Sequence, residues 1–295
     1  MALTAKAWIV IFLSPLIALG LVWVSGRQGV TLGHIPVFDI CIFVTFLAQW
    51  VLFAPAYIFQ TEHYFDLSGS VTYVGVITLA WLYGSLGDVR SSVISILVIL
   101  WAVRLGSFLF TRVKRKGSDS RFTSIKPNFP VYLMTWTLQA LWVSITASCA
   151  LIAITTSNKI PFDGWAGTGL IIWVSGFLLE VIADYQKQKF RAEAQNAQKF
   201  INRGLWSWSR HPNYLGEMLL WFGIAIMAFP VLAGWQFVTL ASPVFVCYLL
   251  TKVSGIEMLE RQNDISWGSD PDYWAYKNST PVLLPFLKMN SSKQT

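Results

Sequence analysis

Residues 131–154 read VYLMTWTLQALWVSITASCALIAI, a run of bilayer-crossing length without one charged side chain. A surface helix of a soluble protein alternates an apolar stripe with a charged face, and this stretch has no charged face to turn to water. It belongs in lipid, or at the centre of a helical bundle. Working outward, the same test finds windows at roughly 7–24, 36–59, 71–87, 92–110, 165–183, 217–230 and 232–253, which makes eight. The seventh is short, and Pro230 with Gly234 separates it from the eighth, so a tight hairpin and a count of seven stay open. Ala7–Val24 is long enough to span and has no clear small-residue cleavage site, so it reads as a first membrane helix and not as a signal peptide.

Composition agrees. Of 295 residues 55% are hydrophobic and only 13% charged, against about 25% charged in an average soluble domain. The expectation is an all-α, multi-pass helical membrane protein with eight, or seven, transmembrane helices. The net charge of +7 fits either nucleic-acid binding or membrane topology, and the placement of the charges decides. With eight spans, Lys6, six basic residues in 111–130, six in 184–216 and five from Lys252 onward fall on one side; Arg27, Arg90 and Lys159 fall on the other. That asymmetry predicts both termini in the cytoplasm, in a bacterial inner membrane or the endoplasmic reticulum. Basic residues interleaved with span boundaries form no nucleic-acid-binding module. Cys41, Cys149 and Cys247 sit in apolar runs without CxxC spacing or a neighbouring His, so no metal site is expected.

Charge inside or beside a membrane span costs free energy and marks chemistry. Arg104, in LWAVRLGSFLF, calls for an internal carboxylate such as Asp66 or Glu180, or for an anionic ligand. Thr61–Ser70 (TEHYFDLSGS) reads as a solvated connector capped by Asp66 and Ser68, or as a source of a buried carboxyl beside Tyr64 able to donate a proton. The densest polar stretch runs from Asp184 through Lys189, Arg191, Lys199, Asn202 and Arg203 to RHPNYLGE, Arg210–Glu217. Lipid headgroups would account for its cations alone. A phosphate-bearing cofactor would also use the Asn, Tyr, carboxylate and Trp groups, for ribose, amide and ring stacking. No GxGxxG follows a strand, so a Rossmann domain is not available. The tail to Phe286 is apolar and aromatic enough to fold back onto the cytoplasmic face, and 287–295 reads as disordered. The expected division is a transmembrane scaffold with a substrate cavity, 1–183, and a cofactor-binding region, 184–286.

Gly204-Leu205-Trp206 followed by Ser209 and RHPNYLGE, with Asp184 upstream and the Tyr276–Phe286 ending, resembles the steroid 5-alpha-reductase C-terminal family. Sterol C14 and C7 reductases and isoprenylcysteine carboxyl methyltransferases share the Arg-His-Pro-x-Tyr-x-Gly core more distantly. The resemblance implies a helical membrane enzyme that holds NADPH and delivers hydride to an activated C=C bond of a steroid-like or isoprenoid lipid. It implies that Asp184 and Arg191 stand upstream of the cofactor pocket, that Lys199 replaces an Arg, and that Asn213 and Glu217 hold the nicotinamide end. Lys189, Arg191 and Lys199 would meet phosphate, Asn202, Arg210, His211 and Tyr214 would line the pocket, and Glu257 and Tyr276 are looser matches beside an apparent insertion at 263–272. The family's carbonyl-polarising Gln-Glu pair and Tyr fall near Phe65-Asp66 and Trp101; Asp66 keeps a carboxyl, so Asp66 with Tyr64 is the catalytic expectation and Trp101 with Arg104 the substrate cavity. The alternatives are an S-adenosylmethionine-dependent lipid or prenylcysteine methyltransferase, whose tandem-Glu tail motif has a partial counterpart in Glu257 and Glu260, and a non-catalytic sterol-binding protein.

Overall fold

The computed structural model describes residues 2–25, 29–84, 87–117, 122–196 and 198–284; the expectation for 287–295 lies outside them. The chain is a multi-pass helical membrane protein, and among the described residues eight helices are long and apolar enough to cross a membrane. Its helices are α1 (Ala2–Ser25), α2 (Val37–Ile58), α3 (Phe65–Gly84), α4 (Val89–Lys116), α5 (Phe129–Thr155), α6 (Gly164–Ala192), α7 (Pro212–Ala228), α8 (Ala241–Tyr248), α9 (Ile256–Trp267) and α10 (Pro271–Ser279). A two-residue antiparallel pair, Thr31–Leu32 with Ile35–Pro36, precedes α2.

Three boundaries differ from the apolar windows. Helix α3 starts at Phe65, so Asp66, Ser68, Gly69 and Ser70 stand in its first turns and not in a connector. Its hydroxyls count as polar in a hydropathy window, yet they are satisfied internally: Ser68 Oγ donates to Phe65 O at 2.7 Å and Thr72 Oγ1 to Ser68 O at 2.7 Å. Helix α6 runs past the apolar window to Ala192, carrying Asp184–Arg191 as helix. The eighth span, Gly234–Trp267, is broken: a 3-10 stretch (Gly234–Leu240), α8, a π-helical turn (Leu249–Val253) and α9 follow one another.

The chain forms two compact units, Met1–Gly167 with Ala225–Ser242, and Thr168–Ile224 with the chain from Pro243 on. In the first, α5 is central and packs on α1, α2, α3 and α4. Its two ends are fastened differently. At one, Tyr132 OH donates to Thr61 O at 2.6 Å, Lys126 pairs with buried Glu62, and His63 Nε2 meets Gly117 O at 2.8 Å. At the other, fully buried Arg90 donates to Met227 O at 2.6 Å, Pro161 O at 2.9 Å and Ile160 O at 3.3 Å, and pairs with Asp163 at 2.7 Å. Every part of that guanidinium has a partner, which is the condition under which a charge can stay buried.

In the second unit α6 and α7 touch backbone to backbone. A Cβ on Gly216 would stand 2.5 Å from Gly176 O and 2.6 Å from Glu180 N, and one on Gly223 would stand 2.6 Å from Gly169 O. The glycines recur seven residues apart on each helix, which keeps them on one face. Gly216→Ala is therefore expected to lower stability by about 1–3 kcal/mol through overpacking. Gly75→Ala, with nothing within 4 Å of the added carbon, is the matched control and should not. Thermal unfolding in detergent distinguishes them; equal melting temperatures would refute the close crossing.

Candidate functional site

The second unit gathers its polar groups at the junction of α6, the 201–211 segment, α9 and α10. Gly204 takes φ +64°, a left-handed turn that a side chain would strain, and Leu205 N–H then donates to Gln186 Oε1 at 2.9 Å. The turn buries Trp206, whose Nε1–H donates to Ala183 O at 3.0 Å, and Lys187 Nζ lies 4.3 Å from the centre of an indole ring face. The chain then enters α7 through Pro212 at its first position, where a missing N–H costs nothing.

Glu260 and Asp264, four apart on α9, share one helical face, and Tyr273 and Lys277 do the same on α10. Glu260 is the hub. It pairs with Arg210 through one oxygen, meets His211 Nε2 at 2.8 Å through the other, and lies 3.6 Å from Lys277 Nζ. Lys277 also pairs with Asp264, which accepts from Tyr273 OH at 2.7 Å. The last described residues are pinned to the same loop: Arg210 N–H donates to Pro281 O at 3.0 Å, Ser209 Oγ to Val282 O at 3.2 Å and Tyr276 OH to Trp206 O at 2.6 Å.

Burial lowers the His211 pKa below its ordinary value, outweighing the Glu260 carboxylate that raises it. The ring is thus neutral near pH 7, and because a carboxylate only accepts, its proton sits on Nε2. Burial raises the Tyr273 and Tyr276 phenols, with Asp264 adding to the first, so both remain donors.

These groups enclose a cavity of about 180 Å³. Its cations are Lys187, Arg191, Lys199 and Arg210, its single carboxylate is Glu260, and its aromatic wall is Phe190, Phe200, Trp206, Trp267, Tyr273 and Tyr276. Of the residues expected from sequence, Arg191, Lys199, Arg210, His211 and Tyr276 line it together. Asp184 is buried on α6, and Asn213, Tyr214 and Glu217 are half-buried on the first turns of α7 outside the lining, with the Tyr214 ring parallel to His211 at 5.7 Å. Lys189 and Asn202 are exposed outside it, and Glu257 faces solvent, 3.1 Å from Lys252. In the first unit Asp66 is half-buried, 3.9 Å from Arg112; Tyr64 is exposed; Trp101 is buried edge-on to Tyr73 at 5.2 Å; and the Arg104 guanidinium lies 5.2 Å from the Phe108 ring centre.

Lys187 and Tyr273, within the polar stretch and the tail, and Phe200, Trp267 and Lys277 were not expected in the site, and Glu260 had only a minor part in it. The i, i+4 pairs Glu260/Asp264 and Tyr273/Lys277 were the available signal. The apparent insertion at 263–272 is the end of α9 and the turn into α10, and it supplies Asn263, Ser266 and Trp267 to the cavity.

Fold and site together define an integral membrane protein with a cationic, aromatic-walled cavity in its C-terminal half. The chain belongs to the DUF1295 family, described as a protein of unknown function, whose model matches residues 52–280, and which is steroid 5-alpha-reductase-like. It is similar to steroid 5-alpha-reductase DET2 of Solanum lycopersicum, 29% identical over 140 residues, or 43% of this chain and 48% of that protein. It is also similar to 3-oxo-5-alpha-steroid 4-dehydrogenase 1 of Bos taurus, 24% identical over 120 residues and 41% of each chain. An uncharacterized protein of Schizosaccharomyces pombe is 27% identical over 160 residues, 45% of this chain and 46% of its own. The matched stretches thus span less than half of each relative's length. No solved structure matches the chain significantly.

A histidine with a lowered native pKa binds fewer protons folded than unfolded, so its contribution is complete above about pH 6.5 and is lost as pH falls from there through the native pKa. The melting temperature in detergent should drop between about pH 7 and pH 5, and His211→Gln should remove part of that drop; identical pH profiles would contradict a neutral buried ring.

Proposed function

We propose that the chain is a membrane-embedded reductase that uses NADPH to saturate a C=C bond of a hydrophobic, steroid-like or isoprenoid lipid. The observation that carries this reading is the charge of the cavity: four cations against one carboxylate, walled by aromatic rings, inside the family match. Basic side chains and ring faces in one lining suit a ligand with several phosphates. The resemblance to steroid 5-alpha-reductases supports the reaction class. When bound, NADPH supplies a hydride to one alkene carbon; a proton completes the other, leaving NADP⁺ and a saturated bond. In this reading Asp184, Lys189, Arg191, Lys199, Asn202, Arg210, His211, Tyr214 and Tyr276 serve the cofactor, Asn213 and Glu217 hold its nicotinamide end, and Glu257, on Lys252 at the surface, takes no part. Asp66, with Tyr64, serves the proton, and Trp101 and Arg104 the lipid. The skew of Lys and Arg supports cytoplasmic termini.

Methyl transfer from S-adenosylmethionine is the second reading, favoured by the grip of Glu260 on Arg210 and His211. The cavity's charge argues against it, because that donor has no phosphate and carries a positive sulfonium.

Glu217→Ala and Asn213→Ala should each weaken NADPH binding about tenfold or more, the loss of one strong hydrogen bond, without lowering the melting temperature. Titration of the detergent-purified protein with NADPH and S-adenosylmethionine reads this out. Unchanged NADPH affinity in both variants, or binding of S-adenosylmethionine alone, overturns the reading. Asp66→Asn should keep NADPH affinity and lose turnover, and an active Asp66→Asn enzyme would remove Asp66 as the acid.

A further inference from the structure

We propose that an anion enters the cavity lined by Arg210, His211 and Glu260 together with one proton, which His211 receives at Nδ1. The inference rests on the reading above only in taking the occupant to be an anion; it adds how that occupant is coupled to pH. Two unpaired atoms are the first argument. Among the described residues His211 Nδ1 and Arg210 Nε are buried without a hydrogen-bond partner, and both side chains line the cavity. Buried polar atoms are seldom left this way. Arg210 Nε carries its hydrogen at any pH, so the partner it lacks is an acceptor. Nδ1 is a bare lone pair while the ring is neutral and becomes a second donor once it binds a proton. An anion, which only accepts, can satisfy both atoms when His211 is protonated and not before.

The far side of the ring is already arranged for that change. Glu260 accepts from Nε2 at 2.8 Å and can do so in either protonation state, so a proton gained at Nδ1 disturbs no existing bond. Burial is what chiefly keeps the proton off; Lys187 and Arg210 act in the same direction, and the Glu260 carboxylate acts against them. Those groups, from α6, the 201–211 segment and α9, face the ring together with Tyr214 of α7, whose ring is parallel to it. Behind Glu260 stand Lys277 of α10 and its partner Asp264, with Tyr273 donating to Asp264 and Tyr276 to Trp206 O. Of all these only an imidazole ordinarily changes charge between about pH 5 and 8. An anion beside Arg210 offsets the positive charges and leaves Glu260 to hold an imidazolium.

The test is a pH series on the full chain in detergent, read by the fluorescence of the cavity tryptophans Trp206 and Trp267. Sulfate is the probe, because it keeps its charge throughout the series. Its affinity should rise by up to about tenfold per unit as pH falls from about 8 to 6, the slope of one proton bound with the ligand. His211→Gln, which can still donate to Glu260 but takes no proton, should bind sulfate equally at every pH. Should that variant unfold, Glu260→Gln, which withdraws the charge favouring the imidazolium, should move the rise to lower pH. Calorimetry in two buffers of different ionisation enthalpy should count one more proton taken up with NADPH by the wild type than by His211→Gln, a difference in which the titration of NADPH's own 2′-phosphate cancels. Reconstitution in phosphatidylglycerol in place of phosphatidylcholine separates the sources of the anion: competition with sulfate assigns the site to a lipid phosphate, indifference assigns it to a soluble anion, and the proton accompanies either. Equal pH slopes in the wild type and His211→Gln, or sulfate binding that ignores pH, overturn the proposal and leave the reductase reading standing. Proton-linked sulfate binding without NADPH binding upholds the proposal and removes the reductase reading. If neither anion binds at any pH, both fall.

Discussion

Hydrocarbon offers no hydrogen bonds, and every polar group of this chain that lies among the spans has to answer that fact. The answers are of two kinds. Isolated hydroxyls turn back on their own helix, as Thr45 does to Cys41 O, Ser95 to Ser91 O, Ser144 to Ala140 O and Thr155 to Leu151 O, all at 2.8–2.9 Å. Larger groups link helices: Gln49 reaches Thr72 Oγ1 at 2.8 Å, and Gln139 donates to Phe65 O at 3.0 Å, with its Oε1 lying 3.2 Å from Ser68 Oγ. The first kind leaves a helix independent. The second fixes α2, α3 and α5 in register, because sliding one of them would strand an amide in an apolar layer.

The same rule governs where charge concentrates. Arg90 is tolerated because four oxygens surround it, and Glu260 because three cationic or imidazole groups do. They differ in what they leave over. The first is a closed set of one cation and its acceptors, a device for holding chain ends together. Around Glu260 the charges are shared among Arg210, Lys277 and Asp264, and the cluster borders a cavity that Lys187, Arg191 and Lys199 also line. Basic side chains gathered in a half-enclosed space attract anions, which makes the second cluster the place to look for chemistry.

How much of this was legible in the sequence depended on distance along the chain. Spans were legible because about twenty apolar residues in a row cannot all be buried in a small soluble core and match the thickness of a bilayer. RHPNYLGE was legible because its residues are contiguous. The start of α3 was displaced because Ser68, Ser70 and Thr72 look like loop residues until their acceptors are known. The extension of α6 was hidden because a polar helix and a polar loop have similar composition. Glu260 and Lys277 escaped for a third reason: their partners lie 49–50 residues upstream of Glu260 and on a different helix from Lys277, and nothing local distinguishes Glu260, inside the cluster, from Glu257, which faces Lys252. Side-chain direction on α9 decides between two glutamates three residues apart, and direction is a property of the fold.

That geometry also bears on the choice between chemistries that share the Arg-His-Pro core. Glu260 neutralises one of the cations around it and fixes the His211 proton on Nε2, whichever cofactor is present. Lys187, Arg191 and Lys199 line the cavity as well, and basic side chains suit a phosphate better than a sulfonium. With Glu257 turned outward to Lys252, the second carboxylate is engaged on the surface. The core string leaves both chemistries open; the orientation of one side chain beside it decides how many carboxylates stand with the cavity's basic residues.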